Sequence, residues 1–579
     1  MKLIEALELI GRPGVTTAPE LKIFLACGFT PLHLQTFLAA HLRERFPERR
    51  ISVSAGLFGD LCGNIERLEG DTVDFLAVVV EWSDLDPRLG LRTLGGWRPP
   101  QLDDIVESAR RTAARLERGL AETSSRVPGI VCMPTLPLPP MFSTRPAQAG
   151  SVEIQLHHVV TALMANLSEQ SNLRIASAQF LDEASSPADR YDVKSDVRSG
   201  FPYSVPHASA LAQLLASLIQ NRSAKKGLIT DLDDTLWDGI LGEDGVEGIS
   251  WHLDRHSHLH GLYQQFLASL AGSGVLVGVA SKNDPALVNQ AFQRNDLLLS
   301  SNDVFPFETH WSRKSESVQR ILQTWNVSPD AVVFIDDSPM EVAEVKTAFP
   351  ELECIVFPKD DHGGLWKLLK HLRDVFGKAL LTPEDSLRLT SIRDSSIWRD
   401  RSPSRQASPD EFLKAAEAHI AFDSSQLNGD NRAFELINKT NQFNLNGRRF
   451  SESEWRTFFI DPTAFLLTAS YKDKYGSLGK IAVILGKTGG HKLCVNGWVM
   501  SCRAFSRRIE HQCLKYLFEA FGVDEISFDY QTTPRNGPLQ AFFAEFVDGL
   551  PAAGVTLSRQ QFAAKVRPLF HRVEGTVNV

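Results

Sequence analysis

The first part of the chain alternates short apolar runs with helical stretches. Residues 21–26 and 75–80 are mainly apolar and have the length of buried strands. Residues 103–122 repeat apolar side chains at the spacing of one helix face. Strands that alternate with helices form parallel sheets, because a parallel connection needs a long crossover. The pattern predicts a parallel α/β layer for this part of the chain.

A second series of apolar runs follows the first. Residues 228–230, 275–280 and 331–335 are short and rich in β-branched residues, and helical stretches separate them. This order predicts a doubly wound parallel sheet, whose ligand site lies at the carboxyl ends of the strands. Each of the three runs leads directly into polar residues.

The pattern changes after the polar segment 394–410, which has the composition of a linker. Beyond it the runs with strand character are longer, and a helix over 507–521 precedes a further strand over 526–530. We therefore predict three domains. Their ranges are 1–222, an α/β layer; 223–393, the doubly wound sheet; and 408–579, an α+β domain.

Composition narrows the possible functions. The chain has 579 residues, is 43% hydrophobic and carries a net charge of −9, which argues against nucleic-acid binding through bulk positive charge. The longest apolar run, residues 75–80, is far shorter than the ~20 residues of a membrane span. The seven cysteines lack the spacing of a zinc site. These features favour a protein of the reducing cytoplasm with no membrane segment.

Two carboxylates come directly after the run 228–230. Asp231 and Asp233 are two residues apart, so both can point into one crevice at the strand end. One can attack a phosphorus atom, and the other can protonate the leaving oxygen and then activate water. Such a concentration of negative charge needs a divalent cation.

The other strand ends carry complementary groups. Ser281 follows the run 275–280 and can donate a hydrogen bond to a phosphoryl oxygen, and Lys314 opens a helix and can neutralise the phosphate. Asp336 and Asp337 follow the run 331–335 and suit Mg²⁺, which prefers oxygen ligands. Four polar sites at strand ends, in this order, predict a phosphoryl-transfer site.

These motifs resemble those of the haloacid dehalogenase (HAD) phosphotransferase superfamily. The segment 231–245, together with 281–284, 334–339 and 440–445, looks like its FkbH-like branch, subfamily IIIC. The resemblance implies a Rossmann-like sheet with a minimal cap, an aspartyl-phosphate on Asp231, acid–base catalysis by Asp233 and charge stabilisation by Lys314. It further assigns phosphate binding to Thr235, Ser281 and Asn283, and Mg²⁺ binding to Asp231, Asp233, Asp336 and Asp337. The chain departs from the family pattern at Ser338, which stands in place of Asn, and at residues 312–313.

The outer regions show weaker resemblances. The third region is similar to a GNAT-like acyltransferase. In it, Cys502 is a candidate acyl acceptor or a packed core residue. Arg507 and Arg508 belong to a basic group that is either a carrier-protein contact or a solvated face. The first region resembles an SGNH hydrolase-like domain, but Gly28-Phe29-Thr30 replaces the usual Gly-Asp-Ser. A role in scaffolding or carrier docking is therefore favoured over hydrolysis.

The resemblance implies a specific reaction. An FkbH-like enzyme would remove phosphate from the glyceryl unit of 1,3-bisphosphoglycerate and load that unit on the phosphopantetheine arm of an acyl carrier protein in natural-product biosynthesis. Two alternatives stay open: a Mg²⁺-dependent phosphatase of a small phosphorylated substrate, and a non-catalytic assembly protein of a biosynthetic pathway.

Overall fold

The computed structural model describes most of the chain. The described residues are 1–12, 18–68, 73–170, 172–220, 223–378, 389, 392–393, 410, 413–414, 416–424, 430–440, 442–474, 476–489, 492–501, 504, 507–547 and 549–576. The chain divides into two compact units, Met1–Arg222 and Ser223–Val579. The predicted linker 394–410 lies outside the described residues except for residue 410. None of the described helices is long and apolar enough to cross a membrane.

The first unit contains a five-stranded parallel sheet in the order β2-β1-β3-β4-β5. Its strands are β1 (Glu20–Cys27), β2 (Arg50–Ala55), β3 (Phe75–Val79), β4 (Gly129–Cys132) and β5 (Leu173–Ile175). Its helices are α1 (Leu3–Gly11), α2 (Leu32–Arg45), α3 (Leu61–Glu66), α4 (Trp82–Leu85), α5 (Leu102–Ser124), α6 (Ser151–Ser168), α7 (Ala178–Ala184), α8 (Val193–Ser199) and α9 (Val205–Gln220). Every residue of β3 is buried, which explains its unbroken apolar run.

The second unit begins with another five-stranded parallel sheet, in the order β10-β9-β6-β7-β8. Its strands are β6 (Gly227–Thr230), β7 (Leu276–Ser281), β8 (Val304–Thr309), β9 (Val332–Asp336) and β10 (Glu353–Val356). Its helices are α10 (Leu241–Gly248), α11 (His258–Gly272), α12 (Pro285–Ala291), α13 (Lys314–Trp325), α14 (Pro339–Ala348) and α15 (His362–Phe376). Apolar clusters cover both faces of this sheet, as a parallel sheet requires.

A seven-stranded mixed sheet completes the second unit, in the order β16-β15-β14-β13-β12-β11-β17. Its strands are β11 (His419–Asp423), β12 (Ala464–Asp473), β13 (Gly476–Gly489), β14 (Lys492–Met500), β15 (Glu525–Gln531), β16 (Ala553–Ser558) and β17 (Arg572–Thr576). Its helices are α16 (Asn431–Lys439), α17 (Glu452–Phe458), α18 (Ile509–Ala520), α19 (Gly537–Ala544) and α20 (Arg559–Lys565). Strands β11 to β14 pair antiparallel, whereas β14 and β15 pair parallel.

The predicted α/β class with parallel sheets is confirmed. The strands of the second sheet lie within one residue of the predicted apolar runs, because each run is buried on both faces of the sheet. The sequence did not predict β8, an edge strand that contains Pro306. A proline lacks the N–H that a central strand needs, so it is tolerated at an edge. The three-domain boundaries stay predictions.

Candidate active site

The carboxyl edge of the second sheet brings the predicted groups together. Thr230, at the end of β6, is in register with Val279 of β7 and with Ile335 of β9. Asp231 follows β6 directly, and Ser281 and Asp336 are the last residues of β7 and β9. The three side chains therefore leave the sheet at one level, at the point where the strand order reverses on either side of β6.

A buried lysine connects the acidic groups. The Lys314 ammonium, at the first residue of α13, lies 2.8 Å from Asp231 Oδ1, 2.9 Å from Asp336 Oδ2 and 2.9 Å from Glu341 Oε2. Its side chain is only 1% exposed. One positive charge thus faces three carboxyl groups in a region that excludes most water, so negative charge is in excess there.

Burial and charge shift the pKa values of these groups. Burial, followed by the neighbouring Asp231 carboxylate, raises the pKa of Asp336 to about 7 although Lys314 acts in the opposite direction. Burial also opposes the charge of Lys314, but the three carboxylates outweigh this effect and raise the pKa of Lys314 above its ordinary value. Lys314 therefore stays charged and does not fully compensate the acidic groups.

The acidic groups fit a divalent cation. One carboxylate oxygen from each of Asp231, Asp336 and Glu341 lies within 4.8 Å of the other two. The buried atoms Asp231 Oδ1 and Asp336 Oδ2 make an ionic contact with Lys314 but accept no hydrogen bond of good geometry. Oxygen donors with unused lone pairs and excess negative charge are what a hard cation such as Mg²⁺ requires.

Asp233 occupies a different environment from Asp231. Its Oδ1 accepts hydrogen bonds from Trp237 Nε1 at 3.0 Å and from the Leu241 backbone N–H at 3.1 Å, and its Oδ2 accepts one from Asn283 Nδ2 at 3.0 Å. Burial raises the pKa of this carboxyl above its ordinary range. Two neighbouring carboxyl groups in unlike environments suit a division into nucleophile and proton donor.

The three residues expected to bind phosphate have distinct positions. Thr235 is fully buried, and its hydroxyl accepts the Asp337 backbone N–H at 3.0 Å, so here it braces the loop and is not exposed to a ligand. Ser281 Oγ accepts a hydrogen bond from Asn283 Nδ2 at 3.0 Å, and the same amide nitrogen donates to Asp233. Asn283 therefore orients both Ser281 and Asp233.

Asp337, the second carboxylate of the predicted metal pair, contacts Lys359 and not Lys314. Asp337 Oδ2 lies 3.3 Å from Lys359 Nζ, which also lies 2.9 Å from Asp234 Oδ2. The group that joins Asp231 and Asp336 is instead Glu341, which sequence reasoning missed. Glu341 also lies 2.6 Å from Lys282 Nζ. Its place in the first turn of the helix after Asp337 was the available signal, since that turn starts beside the strand end.

Of the residues singled out in the third region, the structure describes Arg507 and Arg508 but not Cys502. Cys502 lies outside the described residues, so its role as acyl acceptor stays a prediction. Arg507 and Arg508 are mostly buried within the domain: Arg507 lies 3.8 Å from Asp473, and Arg508 pairs with Asp410 and donates to the Pro568 carbonyl. These two arginines do not form the open basic face that a carrier-protein contact would use.

In the first region, the turn after β1 contains Thr30, and the described residues around it do not form a catalytic relay. The Thr30 hydroxyl donates to the Ser199 carbonyl at 2.8 Å. His207 is fully buried and is hydrogen-bonded to Thr135 and Ser185. Thr30 and His207 thus have separate partners, as expected for a domain without a Ser-His-Asp triad.

Comparison with known proteins supports the fold. No protein-family model and no curated protein matches the chain. Among solved structures it is similar to the N-terminal part of the protein BF1531 from Bacteroides fragilis, which contains a phosphatase domain complexed with Mg, at 20% identity and a TM-score of 0.51. That similarity covers 66% of this chain and 100% of the other. Phospholipase A1 from Streptomyces albidoflavus NA297 aligns over 34% of this chain and 99% of its own at 11% identity, but its TM-score of 0.25 supports no inference. The chain thus shares the fold of a structure that contains a phosphatase domain.

Proposed function

We propose that the chain is a Mg²⁺-dependent phosphatase whose reaction passes through a phosphoryl group on Asp231. The observation that carries the proposal is the convergence of Asp231, Asp336 and Glu341 on Lys314, with Asp233 beside them in an environment that favours its protonated form. The fold shared with a Mg-complexed phosphatase domain supports the same assignment.

The arrangement suggests a role for each residue. Asp231 attacks the phosphorus atom while Asp233 gives its proton to the leaving oxygen, and Asp233 then removes a proton from the water that hydrolyses the aspartyl-phosphate. Lys314 lies 2.8 Å from Asp231 Oδ1 and attracts the anionic substrate. Asp231, Asp336 and Glu341 would hold the Mg²⁺ ion, which offsets the charge of the phosphoryl group when bound.

The test is phosphate release from a panel of small phosphorylated compounds that includes 1,3-bisphosphoglycerate. We expect release with Mg²⁺, loss of release with EDTA and recovery when Mg²⁺ is restored. Release that is unaffected by EDTA would exclude the proposed chemistry. Absence of release from every compound would favour the non-catalytic assembly protein.

The finer proposal is that the substrate is a glyceryl phosphate, 1,3-bisphosphoglycerate, whose glyceryl group is transferred to an acyl carrier protein. A thiol attacks the acyl-phosphate carbonyl and displaces phosphate, and the Asp231 site hydrolyses the remaining phosphate ester, so that a glyceryl thioester is left on the carrier. Its sequence support is the resemblance over 231–245 and 440–445. Its structural support is that the mixed sheet belongs to the same compact unit as the phosphatase sheet. Arg535, in the loop between β15 and α19, lies 3.5 Å from Asp330 and 3.4 Å from Glu351 of the phosphatase region.

A mass measurement separates transfer from simple hydrolysis. The protein is incubated with Mg²⁺, 1,3-bisphosphoglycerate and a holo carrier protein, and the carrier is weighed. We expect the carrier to gain one glyceryl group, whereas phosphate release without a mass gain would support the plain phosphatase. Cys502→Ser then distinguishes a cysteine relay, which the variant blocks, from direct transfer to the pantetheine thiol, which it spares. We favour direct transfer, because a lone cysteine is more often a packed residue than a nucleophile.

A further inference from the structure

The first unit has a cleft at the carboxyl edge of its own sheet. The cleft has a volume of about 560 Å³ and lies where the strand order reverses between β1 and β3. Loops after β1, β2, β3 and β4 contribute to its walls, and a reversal point of this kind is where parallel sheets bind ligands. A volume of this size suits a small organic ligand.

The walls of the cleft are mainly aromatic and aliphatic. The side chains that define them are Phe29, Trp82, Leu89, Trp97, Leu136 and Tyr191. Two acidic groups at the cleft have their polar atoms occupied. Glu81 accepts hydrogen bonds from the Thr135 and Tyr203 hydroxyls at 2.7 Å, and Asp196 accepts one from the Tyr191 hydroxyl at 2.6 Å. Few polar partners remain for a sugar or nucleoside, so the interior favours an aliphatic ligand.

The mouth of the cleft combines apolar side chains with one cation. Phe58, Trp97 and Val193 line the cleft and are also substantially exposed to solvent, and Leu94, on the same loop as Trp97, is 91% exposed. Exposed apolar residues gathered at one opening are typical of a ligand-binding groove. Arg92 lies over the Phe58 ring at 5.0 Å and forms no ion pair with any residue that the structure describes. An anionic group at the mouth would meet this guanidinium.

The floor of the cleft holds a carboxyl group without a cation. Asp84 Oδ2 accepts the Glu81 backbone N–H at 2.8 Å, and a Cβ atom at Gly28 would lie 1.7 Å from Asp84 Oδ1. Glycine at this position is therefore what allows the Asp84 carboxyl to pack against the turn after β1. Among the described residues that line the cleft, the cationic side chain is Arg92 at the mouth, so a ligand's anionic group belongs there and not beside Asp84.

We propose that this cleft is a non-catalytic binding site for an acyl chain that carries an anionic head group, with the chain in the apolar interior and the head at Arg92. Thr30 and His207 have separate hydrogen-bond partners, so among the described residues these two do not form the nucleophile–base pair that hydrolysis needs, and the ligand is held and not hydrolysed. The inference is independent of the proposed phosphatase.

Chain length is the first test. The full-length protein is titrated calorimetrically with butyrate, hexanoate, octanoate and decanoate, each below its micelle concentration. Each buried methylene should raise the affinity about fourfold until the cleft is filled. Absence of binding by all four, or affinity that does not change with length, would overturn the proposal.

Two substitutions then locate the ligand. Arg92→Gln should weaken octanoate binding about tenfold and leave 1-octanol unchanged, whereas Arg98→Gln, at an exposed arginine outside the cleft, should change neither. Ser83→Trp should block both ligands by filling the cleft from an exposed position on its wall, and Thr93→Trp repeats the test from another loop. Ser195→Trp is the matched control, and thermal unfolding followed by circular dichroism verifies that each variant is folded. Octanoate binding that is unchanged in the Arg92, Ser83 and Thr93 variants would place the ligand elsewhere and refute the assignment.

The last experiment asks whether the acyl ligand is a free carboxylic acid or is bound to a carrier. Octanoyl-phosphopantetheine carries the same chain as a thioester, with its phosphate at the far end of the pantetheine arm, as in a carrier-bound acyl group. Tighter binding than octanoate would support a carrier-bound ligand, and weaker binding a free carboxylic acid. Failure of both to bind contradicts the proposal, while phosphate release tested separately decides the phosphatase.

Discussion

The two parallel sheets differ in whether the carboxyl groups at their carboxyl edges contact a cation. At the edge of β6–β10, Asp231, Asp336 and Glu341 share the buried ammonium of Lys314. At the edge of β1–β5, Glu81 and Asp84 are buried, and within the described part of the chain neither forms an ion pair with a lysine or arginine.

The difference determines what each edge can bind. Without a cation, burial raises the pKa of Glu81 and raises that of Asp84 to about 7 at the edge that forms the apolar cleft. At the second edge, Lys314 contacts Asp231, Asp336 and Glu341, and this charged cluster suits Mg²⁺ and a phosphoryl group. Two sheets of similar design therefore differ in function through the residues that follow their strands.

The largest expected effect is that of Asp231→Asn. An amide cannot form the aspartyl-phosphate, so phosphate release should fall by about four orders of magnitude or more, as when a covalent nucleophile is removed from other hydrolases. Asp254→Asn, at an exposed carboxylate of the same region, should retain full activity. Normal turnover by the Asp231 variant would remove the basis for the phosphatase assignment.

Replacement of Lys314 should destabilise the protein, because the second edge would then hold buried carboxyl groups without the Lys314 ammonium. Lys314→Met leaves Asp231 and Asp336 without this cation and leaves Glu341 with Lys282 alone, which should cost about 3–5 kcal/mol of unfolding free energy in the absence of Mg²⁺. Added Mg²⁺ should stabilise this variant more than the wild type. Urea unfolding with and without Mg²⁺ measures both effects, and Lys367→Met, on the exposed side of α15, is the control. Equal stability of variant and wild type would show that the charges do not need Lys314.

The stability of the first unit should fall as the pH rises, whereas an ion-paired carboxylate makes stability rise with pH. The pKa of Asp84 is about 7 in the folded unit against about 4 when unfolded. The folded state thus holds the proton more tightly, so stability is greatest below pH 4 and falls as the pH rises through 7, by about 4 kcal/mol at most.

The matching substitution is Asp84→Asn. It should remove this pH dependence and make the unit more stable than the wild type at pH 8, while Glu122→Gln should not. Hydrogen-exchange protection of the β1 and β3 amides is the measurement. A wild-type protection that rises from pH 5 to pH 8 would contradict the account of this edge.

The smallest effect concerns Thr30. Thr30→Ala should leave any esterase activity unaltered, because the Thr30 hydroxyl donates to a backbone carbonyl and no base is bonded to it. Hydrolysis of a p-nitrophenyl ester by variant and wild type tests this directly. A substantial loss would mean that the first cleft is a working hydrolase and not a binding site.

The sequence predicts features that depend on local patterns. The runs 275–280 and 331–335 locate β7 and β9 within one residue, and the polar residues after them locate the edge of the sheet. The mixed sheet is less regular in sequence, and the sequence did not predict β11, β16 and β17. Strands β16 and β17 lie at the two edges of the sheet, and β11 alternates buried and exposed residues, so none of them needs an unbroken apolar run.

The parts of the site that were missed depend on tertiary packing. Glu341 lies in a helical turn and has no pattern in common with the strand ends, so only the fold brings it to Lys314. Thr235 has the sequence position of a ligand-binding hydroxyl, yet it is buried under the Asp337 loop. Side-chain direction in a loop follows from its hydrogen bonds, which spacing along the chain does not reveal.

The most direct test of the central claim is peptide mapping of the acid-quenched enzyme during turnover. With Mg²⁺ and a phosphorylated substrate, the mass of one phosphoryl group should appear on the peptide that contains Asp231. With p-nitrophenyl phosphate, whose leaving group needs no proton, it should accumulate further in Asp233→Asn, which cannot activate water, and it should be absent from Asp231→Asn. Phosphate release with no phosphoryl group on Asp231 at any time, or with the group on another residue, would contradict the account.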